Sequence, residues 1–105
     1  MENLTTENFR EKIYSGTKKR AVLFTAQWCG FCRSMKLMCQ KAQEDFSSVE
    51  FYIADIDKEP ELKKAFAISV VPTFILFEDG KPLSKAAGLM KKSELYTLLG
   101  AEQKA

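Results

Sequence analysis

The sequence predicts an α/β protein: a three-layer sandwich in which helices flank a central mixed β-sheet. Three observations support this prediction. Helix-like segments alternate with short apolar runs, as in parallel sheets that are covered on both faces. A strong turn signal at Asp79 and Gly80 separates two β-like segments, which indicates an antiparallel hairpin. The 105 residues contain no repeat or linker, so we expect a single domain over residues 1–105.

The first helix is predicted near the N-terminus. Thr6 can cap a helix of about ten residues, and Ser15 and Gly16 end it. Residues three and four apart share a face of a helix, so one face should be buried against the sheet. The residues predicted to face inward are Phe9, Ile13 and Tyr14.

A buried strand and a long helix follow. Residues 21–25 form an almost continuous apolar run, which predicts a strand covered on both faces. The next helix follows Trp28 and continues to about Phe46. Its apolar stripe recurs at spacings of three and four residues: Cys32, Met35, Cys39, Ala42 and Phe46.

The remaining chain predicts three further strands and two helices. Residues 49–56 alternate and contain β-forming residues, which indicates a second central strand. Pro60 opens a short helix, and residues 73–77 form the strand before the turn. Residues 83–87 return antiparallel to that strand, and Ser93 caps a last helix. The first of these helices contains Leu62, Ala65 and Phe66, and the last contains Leu95, Leu98 and Leu99.

The composition excludes several classes of function. Sixteen Lys and Arg against fourteen Asp and Glu leave a net charge of +2, and the short run Lys18-Lys19-Arg20 lacks the aromatic platform of a nucleic-acid site. No apolar run approaches the ~20 residues that span a membrane. The N-terminus lacks the pattern of a secretory signal, so we expect a cytoplasmic protein that binds neither nucleic acid nor membrane.

The pair Cys29 and Cys32 is the strongest chemical signal. A thiol attacks a disulfide as its thiolate, and Cys29 lies where a buried strand gives way to a helix, whose N-terminus favours negative charge. Cys32 lies one turn further in, on the apolar stripe. We therefore expect Cys29 to be the exposed nucleophile and Cys32 the resolving thiol. Gly30 lets another chain approach the sulfur, and Trp28 offers an apolar surface beside it.

A zinc site is the main alternative for the cysteine pair. Structural zinc needs four ligands, and the sequence contains only one further cysteine, Cys39, and no histidine. A closed site within one chain is hard to build from these residues, so no metal is expected. Cys39 continues the apolar stripe and is predicted to be a core thiol.

Motifs along the whole chain resemble those of the thioredoxin family. Trp28-Cys29-Gly30-Phe31-Cys32 is similar to the family's Trp-Cys-Gly-Pro-Cys motif, and Val71-Pro72-Thr73 is similar to its cis-proline signature. Gly80 and Gly88 match the family's hairpin-turn and late-strand glycines. The resemblance implies the thioredoxin fold, a cis Val71–Pro72 bond and a short first strand within residues 2–5.

The resemblance also implies an activity. The chain should be a thiol–disulfide oxidoreductase that acts on disulfide-containing proteins as a monomer, without an organic cofactor. Its electron donor would be a reductase like thioredoxin reductase or a small thiol. The residues that would bind substrate beside the cysteine pair are Trp28, Gly30, Phe31, Val71, Pro72 and Gly88.

Several positions depart from the family pattern. Leu23 stands where thioredoxins carry a buried Asp that helps to move the proton of the resolving thiol, and Ile53 stands where a Lys accompanies it. Thr25, Phe31 and Leu37 replace a tryptophan and two prolines. These changes predict a shifted reduction potential or a narrower set of partners, with slow resolution by Cys32. An adaptor that binds partners and turns over poorly is the alternative function.

Overall fold

The computed structural model describes residues 1–15 and 18–100, and within these ranges the chain forms five strands and four helices. Strands and helices alternate until β4 and β5, which follow each other directly. The elements are β1 (Glu2–Asn3), α1 (Phe9–Tyr14), β2 (Lys19–Thr25), α2 (Gly30–Asp45), β3 (Val49–Asp55), α3 (Pro60–Ala65), β4 (Thr73–Glu78), β5 (Lys81–Ala87) and α4 (Lys92–Gly100).

The sheet is mixed, as predicted. In the described residues its strand order is β1-β3-β2-β4-β5, with β1, β3 and β2 parallel and with β4 antiparallel to both β2 and β5. The central strand β2 is buried from Arg20 to Phe24, which confirms that the apolar run is covered on both faces. Strand β1 contains only two residues and pairs with β3, which confirms the prediction of a short first strand.

Two hydrophobic clusters lie on opposite faces of this sheet, because successive side chains of a strand point to opposite sides. Val22 and Phe24 of β2 join one cluster, with buried residues of α1 and α3. Ala21 and Leu23 join the other, with Met35 of α2 and buried residues of α4. The result is the predicted three-layer sandwich, in which α2 and the face of Leu23 enclose the same core.

The start of the first helix differs from the prediction. The helix α1 begins at Phe9, and Thr6 does not cap it, because the Thr6 amide and hydroxyl both donate to the Glu59 carboxylate. Ile13 is buried as expected, but Tyr14 is exposed, so the prediction of an inward Tyr14 is wrong. Gly16, predicted to help end this helix, lies outside the described residues.

The cap of the last helix also differs. The helix α4 begins at Lys92, one residue before the predicted cap Ser93. The carboxylate of Glu94 accepts a hydrogen bond of 2.8 Å from the Lys91 amide and caps the helix instead. Three residues separate this pair, the spacing at which a glutamate side chain reaches back across the first turn.

The hairpin turn confirms its sequence signal. Asp79 and Gly80 adopt φ values of 54° and 78°, the two positive angles that a two-residue hairpin turn requires. A Cβ atom at Gly80 would lie 2.9 Å from the ring of Tyr14, so this position also needs a glycine for close contact.

Candidate active site

The cysteine pair lies at the junction between β2 and α2. A turn in which the Cys29 amide donates to the Ala26 carbonyl, at 3.2 Å, leads from the strand into the helix. Cys29 occupies the N-cap position of α2 and is half-buried, whereas Cys32 is only 4% exposed. The two cysteines approach to 2.5 Å. The more accessible thiol therefore lies at the helix N-terminus, and the buried thiol lies behind it.

The loop before β4 completes the surroundings of Cys29. The Cys29 thiol donates a hydrogen bond to the Val71 carbonyl, at 3.5 Å, and the Val71–Pro72 bond is cis, as predicted. The Gly88 amide donates to the Pro72 carbonyl at 2.7 Å, and Gly88 has a φ of 90°. The structure thus brings Cys29, Val71, Pro72 and Gly88 together, although more than fifty residues separate the first from the last.

An apolar surface surrounds the exposed thiol. Trp28 is 70% exposed and Phe31 is 65% exposed, on either side of Cys29 and Gly30. Two further exposed apolar residues extend it next to Val71 and Gly88 in the chain: Val70 and Leu89. Large exposed apolar side chains that cluster at one place are typical of a protein-binding surface.

Asp57 holds the tryptophan, and the sequence prediction did not include it. The indole Nε1 of Trp28 donates a 2.8 Å hydrogen bond to the Asp57 carboxylate. Asp57 follows the carboxyl end of β3, beside the carboxyl end of β2 that leads to Trp28. The sequence could have indicated this contact, because Asp57 follows a parallel strand and the carboxyl ends of such strands meet at one edge of the sheet.

The two inner thiols are both held protonated. Burial, followed by the hydrogen bond with Cys29, raises the pKa of Cys32 to about 12. Burial alone raises the pKa of Cys39 to about 12. Cys39 is fully buried on the face of α2 that shares a core with β2, which confirms that it is a core thiol. Cys32 must therefore lose a proton before it can attack a disulfide at neutral pH.

A polar cleft of about 470 Å³ opens beside the cysteine pair. Both Cys29 and Cys32 line it, together with residues at the carboxyl ends of β2 and β3. Its charged lining residues are Arg33, Lys36, Asp55, Lys58 and Glu59. Cys32 therefore borders a space large enough for water, although its side chain is largely buried.

Four of the five positions that depart from the thioredoxin pattern carry apolar side chains. Leu23 is 1% exposed, and it pairs with Ile53 across β2 and β3. Leu37 and Phe31 lie exposed on α2. Among residues 1–15 and 18–100, no cluster of three or more His, Cys, Asp or Glu side chains is arranged to hold a metal ion. In the same ranges no helix is long and apolar enough to cross a membrane.

Comparisons with known proteins agree with this geometry. The thioredoxin family model matches residues 1–101. A thioredoxin from Chlamydia trachomatis serovar D is 32% identical over 100 residues, which cover 95% of this chain and 96% of that protein. The crystal structure of mitochondrial thioredoxin 3 from Saccharomyces cerevisiae, in its oxidised form, superposes with a TM-score of 0.88 at 28% identity and covers 96% of this chain and 94% of that one.

A further structure with a TM-score of 0.88 and 27% identity covers 96% of this chain and 94% of its own. It is described as the structural basis of the thiol-resolving mechanism in yeast mitochondrial 1-Cys peroxiredoxin via glutathione and thioredoxin systems.

Proposed function

The chain belongs to the thioredoxin family and is a dithiol–disulfide oxidoreductase, and within that activity we propose that Cys29 is the nucleophile and Cys32 the resolving thiol. The observation that supports this assignment is the asymmetry of the pair. Cys29 is the accessible thiol at the N-terminus of α2, and Cys32 lies behind it with a raised pKa.

The reaction needs only the two sulfur atoms as electron carriers. The Cys29 thiolate attacks a substrate disulfide and forms a mixed disulfide, and one substrate sulfur leaves as a thiolate. Cys32 then attacks Cys29, so that the intramolecular disulfide forms and the second substrate sulfur leaves. Two electrons pass from the cysteine pair to the substrate.

We propose that substrates are disulfide-containing proteins that dock on the surface around Cys29. An apolar patch beside a reactive thiol favours a protein over a small polar disulfide. Gly30 has open space where a Cβ atom would lie, so a substrate chain can approach the sulfur closely. The proposed contact residues are Trp28, Gly30, Phe31, Val71, Pro72 and Gly88.

The partner that reduces the Cys29–Cys32 disulfide again belongs to the same proposal. A reductase like thioredoxin reductase or a low-molecular-weight thiol would supply the electrons. Both cysteines and the surface around them come from one chain, which supports action as a monomer. A pair that must be kept reduced between turnovers supports a cytoplasmic location, where thiols are maintained in that state.

Reduction of insulin by dithiothreitol tests the assignment of the two cysteines. We expect the wild-type protein to accelerate the reaction, Cys29→Ser to abolish the acceleration, and Cys32→Ser to accumulate a mixed disulfide. Cys39→Ala is the matched control, because Cys39 lies in the core away from the site and should not be needed for turnover. Full activity of Cys29→Ser would contradict the proposal.

A further inference from the structure

We propose that Asp55 accepts the proton of the Cys32 thiol when Cys32 resolves a mixed disulfide, through water in the cleft that both residues line. The inference rests on the proposed role of Cys32 as the resolving thiol. It assigns a proton acceptor in a chain where the position of the family's buried acid holds the apolar Leu23.

The register of the sheet places Asp55 on the side of the active site. Ile53 and Asp55 are two residues apart on β3, so both side chains lie on the same face, and that face is covered by α2. Asp55 pairs with Thr25 at the carboxyl end of β2, four residues before Cys29. Position 23 pairs with Ile53, so Asp55 lies two residues further along the paired strands, toward the end that leads to the cysteines.

The cleft connects Asp55 with Cys32. Both residues line the same space of about 470 Å³, which has room for several water molecules of about 30 Å³ each. Thr25 and Gln27 also line it and provide polar partners for such water. Leu23 does not line the cleft and is fully buried, so water that reaches Cys32 from this side meets Asp55 and not position 23.

The carboxylate of Asp55 is held in place and keeps one oxygen available. Its Oδ1 accepts hydrogen bonds from the amides of Asp57, at 2.8 Å, and Lys58, at 3.3 Å. Its Oδ2 accepts none from the described residues. The turn after β3 therefore orients the carboxylate, and the second oxygen can accept a proton from water.

Four further charged groups line this space. Arg33 and Lys36 project from α2, and Lys58 lies in the loop after β3, whereas Glu59 adds a second negative charge. The lining of the cleft therefore carries three cationic side chains and two carboxylates, one of which is Asp55. The Asp55 charge contributes to the raised pKa of Cys32, after burial and the hydrogen bond with Cys29, so the two groups interact electrostatically.

The resolving step needs no oxidant, reductant or proton acceptor beyond these groups and water. The Cys32 thiol gives its proton through water to the Asp55 carboxylate, and the Cys32 thiolate attacks the sulfur of Cys29. The bond between Cys32 and Cys29 forms, the bond between Cys29 and the substrate sulfur breaks, and the electron pair leaves with that sulfur. The departing thiolate then takes a proton from the Asp55 carboxylic acid or from solvent.

Asp55→Asn is the decisive variant, because the amide oxygen of Asn can accept both turn hydrogen bonds while the charge and the proton-accepting capacity are lost. Stopped-flow mixing of reduced protein with a disulfide that has a chromophoric leaving group separates the first attack from resolution. We expect the first attack to be little changed and resolution to slow about 10²-fold, the lower end of the range for loss of a general base. Asp55→Ser, which also keeps a turn acceptor, should slow resolution to a similar degree.

The direction of the change separates a proton acceptor from a plain electrostatic effect. If Asp55 acted only by its charge, its removal would lower the pKa of Cys32 and make resolution faster. We expect the opposite. We also expect resolution in Asp55→Asn to depend more steeply on pH than resolution in the wild type, because hydroxide then replaces the carboxylate as the proton acceptor.

Glu59→Gln is the matched control. It removes one negative charge from the same cleft, but Glu59 is not among the groups that shift the pKa of Cys32. Resolution in Asp55→Asn that is as fast as in Glu59→Gln would overturn the proposal. If the first attack did not occur at Cys29 in the wild type, the proposed function would fail instead. The two failures are distinguishable, because the first attack and resolution are separate phases of the same stopped-flow experiment.

Discussion

Leu23→Asp places a carboxyl group in the core at the position where thioredoxins carry one. Leu23 is 1% exposed and packs in the cluster that includes Met35 and Cys39. Loss of its buried apolar side chain costs about 1.5–3 kcal/mol. A protonated carboxyl group without a buried partner costs a further ~1–3 kcal/mol. The free energy of unfolding should therefore fall by about 2.5–6 kcal/mol, a large part of the ~5–15 kcal/mol typical of a domain.

The loss of unfolding free energy in Leu23→Asp should grow as pH rises. Burial disfavours the charged form, so the new carboxyl group has a higher pKa in the folded protein than in the unfolded chain. The unfolded chain then releases its proton first, and the folded protein loses stability as pH rises above the unfolded value, by up to about 1.4 kcal/mol per pH unit. The loss stops growing above the folded pKa.

Urea unfolding of reduced protein at pH 5, 6 and 7 measures this effect. Leu23→Asn is the control, because it introduces a polar group of similar size that does not titrate, and the difference between the two variants cancels every other titrating group. The same stability difference at all three pH values would refute the reasoning, since it would mean that the carboxylate reaches water. In the Asp55→Asn background, Leu23→Asp should also speed resolution, because it restores an acid on the face covered by α2.

Three further results are expected. Limited alkylation of reduced protein should label Cys29 before Cys32, since burial raises the pKa of Cys32 to about 12, and peptide mapping that found Cys32 labelled first would contradict this. Phe31→Pro should lower the reduction potential measured against glutathione, because it removes an amide at the helix N-terminus that stabilises the reduced thiolate form; an unchanged or higher value would count against it. The hydrogen bond from Arg20, at 3.0 Å, holds the pKa of Glu50 below its usual range, so this pair stabilises the fold at neutral pH and the contribution is lost as pH falls through the lowered folded value. Arg20→Gln should cost about 1–3 kcal/mol, because Arg20 also bonds the Ile13 and Ser15 carbonyls, and it should flatten the fall in stability toward acid; an unchanged acid limb would refute this.

Local patterns in the sequence predicted most of the fold. The apolar run of β2, the stripe of α2 and the Asp79-Gly80 turn each depend on the chemistry of neighbouring residues, and all three are confirmed. The predictions that failed were two helix caps and the inward position of Tyr14. Thr6 bonds a residue 53 positions away, and Glu94 rather than Ser93 caps α4 by accepting from the Lys91 amide, because several polar side chains compete for the same backbone groups.

The sequence by itself also determined the reactive pair, because Cys29 and Cys32 need only a strand and a helix that are adjacent in the chain. The rest of the site was decided by the tertiary structure. Val71 accepts from the Cys29 thiol, Asp57 holds Trp28, and Asp55 shares a cleft with Cys32 only because β2, β3 and β4 pair in one register. Contacts across such distances along the chain depend on which strands lie side by side, and that pairing follows from the packing of the whole core rather than from any local pattern.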